Sequence, residues 1–205
     1  MPLQTNPFQS SEGQVTKTQN GINYFPRGSF YLQTAASASY NTSVVETSLL
    51  KASAQAQGIS GNIFVPSTAL PVLPANWAAL GTLITGRLAG TIANTGTPAI
   101  RVRVVLKNSA GTVIYTLADS ASLAMTSTTA VDWVINFESM VRVVGASGQF
   151  GSRIDHRYAT TVVPTAYANV TVDTTVAYSL DVLATWDASS ASNIALIQWA
   201  NFEVI

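Results

Sequence analysis

Cysteine is absent from this 205-residue chain, histidine occurs once, and charged side chains make up only 10% of it. Without a thiol there is no disulfide framework, no thiolate nucleophile and no Cys-based metal site, so stability has to come from packing and self-association. A single histidine cannot build a His cluster for a transition metal. The ten Lys and Arg are balanced by ten Asp and Glu. Binding to phosphates needs clustered cations that displace counterions, so nucleic acid and an anionic membrane surface are not expected as partners. Long apolar runs are missing too. The richest stretch, residues 68–84, is interrupted by Pro71, Pro74 and Asn76, short of the ~20 apolar residues of a membrane-spanning helix. The opening Met1-Pro2-Leu3-Gln4-Thr5-Asn6-Pro7 carries neither the basic nor the apolar region of a secretory signal, so the chain is expected to be made and folded in a cytoplasm.

Apolar residues nevertheless make up 47% of the chain, and their spacing is that of strands. Residues 1–28 are the exception, being rich in Gln, Asn, Thr and Ser and broken by Pro2, Pro7, Gly13, Gly21, Pro26 and Gly28. This composition predicts an extended N-terminal arm with little structure of its own. Its Phe8, Ile22, Tyr24 and Phe25 are the residues that would dock the arm on a neighbouring surface, since buried aromatic area carries most binding energy.

From residue 29 onward turn clusters punctuate short apolar segments. Residues 42–50 read as strand, 51–57 as extended chain or one helical turn, 61–66 as a short strand, and 71–79 as a loop with a helical turn at Trp77. Residues 81–93 alternate with period two and predict a long strand. Ile100, Val102, Val104 and Leu106 alternate with Arg101, Arg103, Val105 and Lys107, and Asn108-Ser109-Ala110-Gly111 turns this strand back into Val113, Tyr115 and Leu117. Val131, Trp133, Ile135 and Phe137 share one phase, with a bulge or bend expected at Ser139-Met140 before Val141 and Val143. Gly145-Ala146-Ser147-Gly148 turns the chain into residues 149–161. Strands follow at 170–172, at 178–186 with Tyr178, Leu180, Val182, Ala184 and Trp186 in phase, and at 194–205. With about eight to ten short strands and no long apolar helical stripe, the fold class is all-β: an antiparallel β-sandwich over 29–205, expected in jelly-roll order with an immunoglobulin-like order as alternative.

Chemistry-bearing patterns are sparse. In Arg153-Ile154-Asp155-His156-Arg157, strand neighbours point to opposite faces, so Asp155 cannot orient His156 toward Ser152, and Asp132 is a distant substitute. Arg153, Asp155 and Arg157 are better read as cross-strand or intersubunit ion pairs. A calcium site from Asp173, Asp181 and Asp187 is conceivable but lacks the Asp-x-Asp-x-Asp-Gly loop pattern, and no metal or cofactor is expected. Asp132 and Glu138 share strand parity, but six residues span about 20 Å, beyond the reach of paired glycosidase carboxylates. Arg101, Arg103 and Lys107 read as the solvated face of a half-buried sheet. Of the four tryptophans, Trp133 and Trp199 lie within apolar strands and are assigned to the core, while Trp77 and Trp186, near loops, are the candidates for carbohydrate contact. No catalytic constellation emerges, and the chain is read as a non-enzyme.

Two stretches add a resemblance. Residues 92–104, IANTGTPAIRVRV, followed by a hairpin, and the closing segments VTVDTT at 170–175, LDV at 180–182, WDASSASN at 186–193 and ANFEVI at 200–205 together resemble jelly-roll domains of tailed-bacteriophage virion proteins. The resemblance covers roughly residues 60–205 and implies a virion structural protein: a homotrimeric capsid decoration (cement) protein, or a head or tail fibre component. Its implied partners are copies of itself and other virion proteins such as the major capsid protein. A carbohydrate- or receptor-binding tail module is the alternative. Scarce charge suits permanent assembly, because hydroxyls and amides are cheaper to remove from water than ions. Three arms on one trimer would reinforce one another's attachment.

Overall fold

The computed structural model describes residues 17–19, 22–24, 28–33, 44–50, 70–164 and 167–205, with residues 17–33, 163 and 164 described by backbone pairing. The described strands are β1 (Lys17–Gln19), β2 (Ile22–Tyr24), β3 (Gly28–Gln33), β4 (Thr47–Ser48), β5 (Val72–Leu73), β6 (Leu83–Asn94) and β7 (Ala99–Lys107). They continue with β8 (Val113–Ala124), β9 (Thr128–Val143), β10 (Gly148–Tyr158), β11 (Thr161–Pro164), β12 (Ala168–Val172), β13 (Tyr178–Trp186) and β14 (Ile194–Val204). No helix occurs among the described residues, and hence none long and apolar enough to cross a membrane.

Two antiparallel sheets form a β-sandwich. The larger has the order β11-β10-β9-β6-β14-β3, with β12 also on β10; the smaller has the order β4-β13-β7-β8, with β5 also on β13. The pair β6·β14 lies in the large sheet and the pair β7·β13 in the small one, so the chain passes between layers from β6 to β7 and again from β13 to β14. Of the strands between these crossings, β8 stays beside β7 and β9 lies beside β6. In the arm, β1 and β2 pair as a small antiparallel hairpin that the polar composition did not predict, and β3 adds an edge to β14. Of the arm's expected anchors, Ile22 and Tyr24 belong to β2, while Phe8 and Phe25 lie outside the described residues, as do the segments read at 51–57 and 61–66.

The core follows from strand parity. On β6 the inward set is Ile84, Leu88 and Ile92, with Gly86 and Gly90 between them; on β7 it is Ile100, Val102, Val104 and Leu106; on β13 it is Leu180, Val182, Ala184 and Trp186. These join Trp133, Ile135, Phe137, Phe150, Ile154 and Phe202 of β9, β10 and β14 in one continuous apolar cluster. At Ser139 the expected bend does not occur. The inward phase Trp133, Ile135, Phe137 runs on through Ser139 to Val141, because the Ser139 and Ser152 hydroxyls hydrogen-bond to each other at 2.6 Å and bury as a pair. The irregularity falls later, where Gln149 opposes Val143 and Phe150 opposes Val141. Nor is there a helical turn at Trp77: residues 75–76 make a plain turn after β5.

The free edge strand β8 is broken by three register shifts against β7. Bulges re-aim backbone groups and spoil an edge for further pairing. One group left over, the Val102 amide, donates to Ser120 Oγ at 2.9 Å. At the other side of the small sheet residues 44–50 are held by a polar clasp. Ser48 Oγ donates to Asp181 at 2.6 Å, Lys107 Nζ reaches the same carboxylate at 2.6 Å, and Arg103 Nε donates to Glu46 at 2.6 Å. Burial raises the Asp181 carboxyl above its ordinary range, against the opposing pull of Lys107 and Ser48. Leu49 and Leu50 bury beside it.

Candidate functional site

The outer face of the large sheet carries an open groove of about 380 Å³. Its residues come into line through register. Asn201 on β14 stands opposite Arg87 on β6, Arg87 opposite Asn136 on β9, and Asn136 opposite Asp155 on β10. One pleat on, Glu203, Thr85, Glu138 and Arg153 form a parallel row; one pleat back stand Trp199, Ala89, Val134 and Arg157. Arg153 Nε donates to Glu138 at 2.9 Å, Asn201 Nδ2 to Glu203 at 2.7 Å, and Asn136 Nδ2 lies 3.5 Å from Asp155. Two arginines and three carboxylates line the groove, so its charges are largely cancelled within it.

An aromatic stands at each of two opposite corners. Trp199 is 37% exposed, with the Arg87 guanidinium 5.4 Å from its ring centroid. Diagonally across, Tyr167 is 52% exposed, with the Arg142 guanidinium 5.2 Å from its ring. Tyr167 lies over Gly151, where an added Cβ would stand 1.7 Å from the phenol oxygen. Three strand spacings and six residues along β9 separate the two corners, roughly 25 Å in all.

Trp199 was assigned to the core from its apolar surroundings, and the structure corrects this. A register shift between Ile197 and Trp199 inserts one residue into β14, so the inward phase passes from Ala195 and Ile197 to Ala200, Phe202 and Val204, and Trp199 turns outward. Gly90, opposite Ile197, admits the bulge: a Cβ there would sit 1.8 Å from the Leu196 carbonyl oxygen. The change of parity between Ile197 and Ala200 was the available sequence signal.

The expected sugar contacts, Trp77 and Trp186, are both core residues, a second correction. Trp186 is 0% exposed because it shares the parity of Leu180, Val182 and Ala184. Trp77 is 3% exposed and packs on Phe150 with ring centroids 6.2 Å apart. Neither can offer a ring face to a ligand.

Arg153 and Asp155 lie in the groove, and Arg157 is exposed in the flanking row. Arg153 makes a cross-strand ion pair, whereas the group opposite Asp155 is the Asn136 amide and that opposite Arg157 is Val134. His156 points inward and is 1% exposed; Trp133 Nε1 donates to its Nδ1 at 3.4 Å, and burial lowers its pKa to about 4. The Ser152 hydroxyl is committed to Ser139, and Asp155 lies on the opposite face of β10.

The suggestive aspartates are dispersed. Asp173 binds its own turn through Thr175, which lowers its carboxyl below the usual range; Asp181 belongs to the clasp; Asp187 accepts from the Ala99 amide at 2.7 Å. No group of three metal-ligating side chains occurs among the described residues. Arg101, Arg103 and Lys107 each meet an acid, namely Asp119, Glu46 and Asp181, so their stripe is electrically neutralised. No protein-family model matches the chain, and no curated protein or solved structure matches it either.

Proposed function

We propose that this chain is a non-enzymatic structural protein of a tailed-phage virion, a homotrimeric capsid decoration protein whose N-terminal arm anchors it to neighbouring subunits. The observation that carries the reading is an ordered apolar end on the sandwich. Leu80, Val143, Val144, Val176 and Ile205 are all exposed large apolar side chains. Backbone hydrogen bonds tie their segments together: Gly81 to Val141 at 2.9 Å, Leu83 to Ile205 at 3.1 Å, Asn76 to Thr174 at 2.9 Å and Thr174 to Gly145 at 3.0 Å. A surface of this kind on a chain with so little charge is suited to burial against another subunit at small desolvation cost. The resemblance of residues 92–104 and 170–205 to phage jelly-roll segments points the same way.

The test is co-sedimentation with tailed-phage heads stripped of decoration protein. The parent chain is expected to pellet with the heads, and the variant with Phe8, Ile22, Tyr24 and Phe25 all changed to Ser to remain in the supernatant with its β circular dichroism intact. Equal occupancy of the two proteins contradicts arm anchoring, and absence of the parent from every head preparation contradicts the virion role. A second reading, a carbohydrate- or receptor-binding module, is favoured by the outward-turned Trp199.

A further inference from the structure

We infer that the outer groove of the large sheet is a binding site for an extended, uncharged oligosaccharide, seated between Trp199 and Tyr167. The inference rests on the groove alone and holds whether or not the chain is a virion component. A sugar ring presents a C–H face and a rim of vicinal hydroxyls. The first is matched by an aromatic ring, the second by planar groups that donate or accept in pairs. Both types stand here in the required order: an exposed ring at each corner and, between them, the guanidinium of Arg87, the amides of Asn136 and Asn201 and the carboxylates of Asp155 and Glu203.

Three features set this face apart from an ordinary solvated sheet. Trp199 reaches solvent through a bulge that only a glycine at position 90 accommodates. Tyr167 is seated over Gly151 at a distance no side chain there would allow. Each ring is braced by an arginine, which restrains it before a ligand arrives and so lowers the ordering cost of binding. Charge decides the ligand class. Two cations and three anions line the groove, with Arg153 bonded to Glu138 and Glu203 to Asn201, so an anionic ligand gains no net attraction. The strand positions that carry the two rings lie roughly 25 Å apart by register, which calls for a chain of several sugars.

The full chain and each variant would be titrated with cellohexaose, maltohexaose, xylohexaose, mannohexaose and chitohexaose by isothermal titration calorimetry, with tryptophan fluorescence as a second readout on chains that keep Trp199. Trp77, Trp133 and Trp186 are at most 3% exposed, so a change on binding reports Trp199. At least one hexasaccharide is expected to bind with Kd of about 0.1–1 mM. Trp199→Ala and Tyr167→Ala should each weaken it roughly tenfold or more, Asn136→Ala severalfold, and Val45→Ser, outside the groove, not at all. Circular dichroism and thermal melting of each variant separate loss of binding from loss of fold. A panel in which no sugar gives a calorimetric or fluorescence signal up to about 10 mM, or a folded Trp199→Ala that binds like the parent by calorimetry, overturns the inference.

Discussion

Gly90→Ala is a sharp probe of the bulge that turns Trp199 outward. The added methyl carbon would lie 1.8 Å from the Leu196 carbonyl oxygen, 2.7 Å from its carbon and 2.8 Å from Ile197 Cα. All three are backbone atoms, so no rotamer change relieves the contact and β14 itself must move away from β6. Overpacking of this kind costs about 1–3 kcal/mol, and a purely backbone obstacle places Gly90→Ala at the upper end. For a chain of this size each kcal/mol lowers Tm by about 2–4 °C, so a fall of roughly 6–12 °C is expected. Two assays would be run together: thermal unfolding by far-UV circular dichroism, and iodide quenching of tryptophan emission. If β14 loses its bulge, Trp199 changes its exposure and the quenching constant changes with it. Gly96→Ala is the reference: its φ is +78° with open space around it, so it should cost only the left-handed backbone penalty of about 1–2 kcal/mol and leave quenching untouched. A Gly90→Ala protein with Tm within about 2 °C of the parent and unchanged quenching would refute the steric account of the bulge.

The remaining predictions concern buried polar groups. His156 is neutral in the fold with a pKa lowered to about 4, against an ordinary value of 6.5, so the unfolded chain binds the extra proton between those limits. Stability is therefore full above about pH 6.5 and falls by up to about 3 kcal/mol as pH drops to about 4; His156→Phe should flatten this part of a urea-unfolding series. Ser139→Ala or Ser152→Ala alone leaves one buried hydroxyl without its partner, at about 1–3 kcal/mol, whereas the double variant should lose less than the sum of the two, which a double-mutant cycle would measure. Lys107→Met removes the cation from a buried Asp181, with an expected loss of about 3 kcal/mol or more at pH 7 and a smaller loss near pH 4, where the carboxyl can protonate; equal losses at both pH values would contradict the clasp.

Long strands announced themselves through parity. β6, β7 and β13 carry inward residues on every second position; a helical period cannot place Leu180, Val182, Ala184 and Trp186 on one face, and on β6 the buried Gly86 and Gly90 complete the alternation with Ile84, Leu88 and Ile92. Parity also held the answer for Trp186, whose closeness to a loop drew attention away from its phase. Ser139 looked like a break because an isolated serine among apolar residues has no evident reason to be buried. That reason is Ser152, thirteen residues away on the next strand. The clasp is similarly non-local, joining Ser48 to Asp181 over a sequence separation of 133. The groove is assembled from four strands whose order no local pattern contains; Arg153 and Asp155 stood out in the sequence as polar pairing residues, but Arg87, Asn136 and Asn201 could be named beside them only once the register was known.

The proposed structural role requires the apolar end to meet other copies of the chain. Light scattering of the purified chain checks this, alongside a Leu80→Asp, Val144→Asp variant that puts charge on two exposed positions of that end. The expected result is a species of about 65 kDa, three times the 21.6 kDa chain, that falls to monomer mass in the variant while the β fold persists. A parent chain that remains monomeric at concentrations of about 100 μM would contradict it.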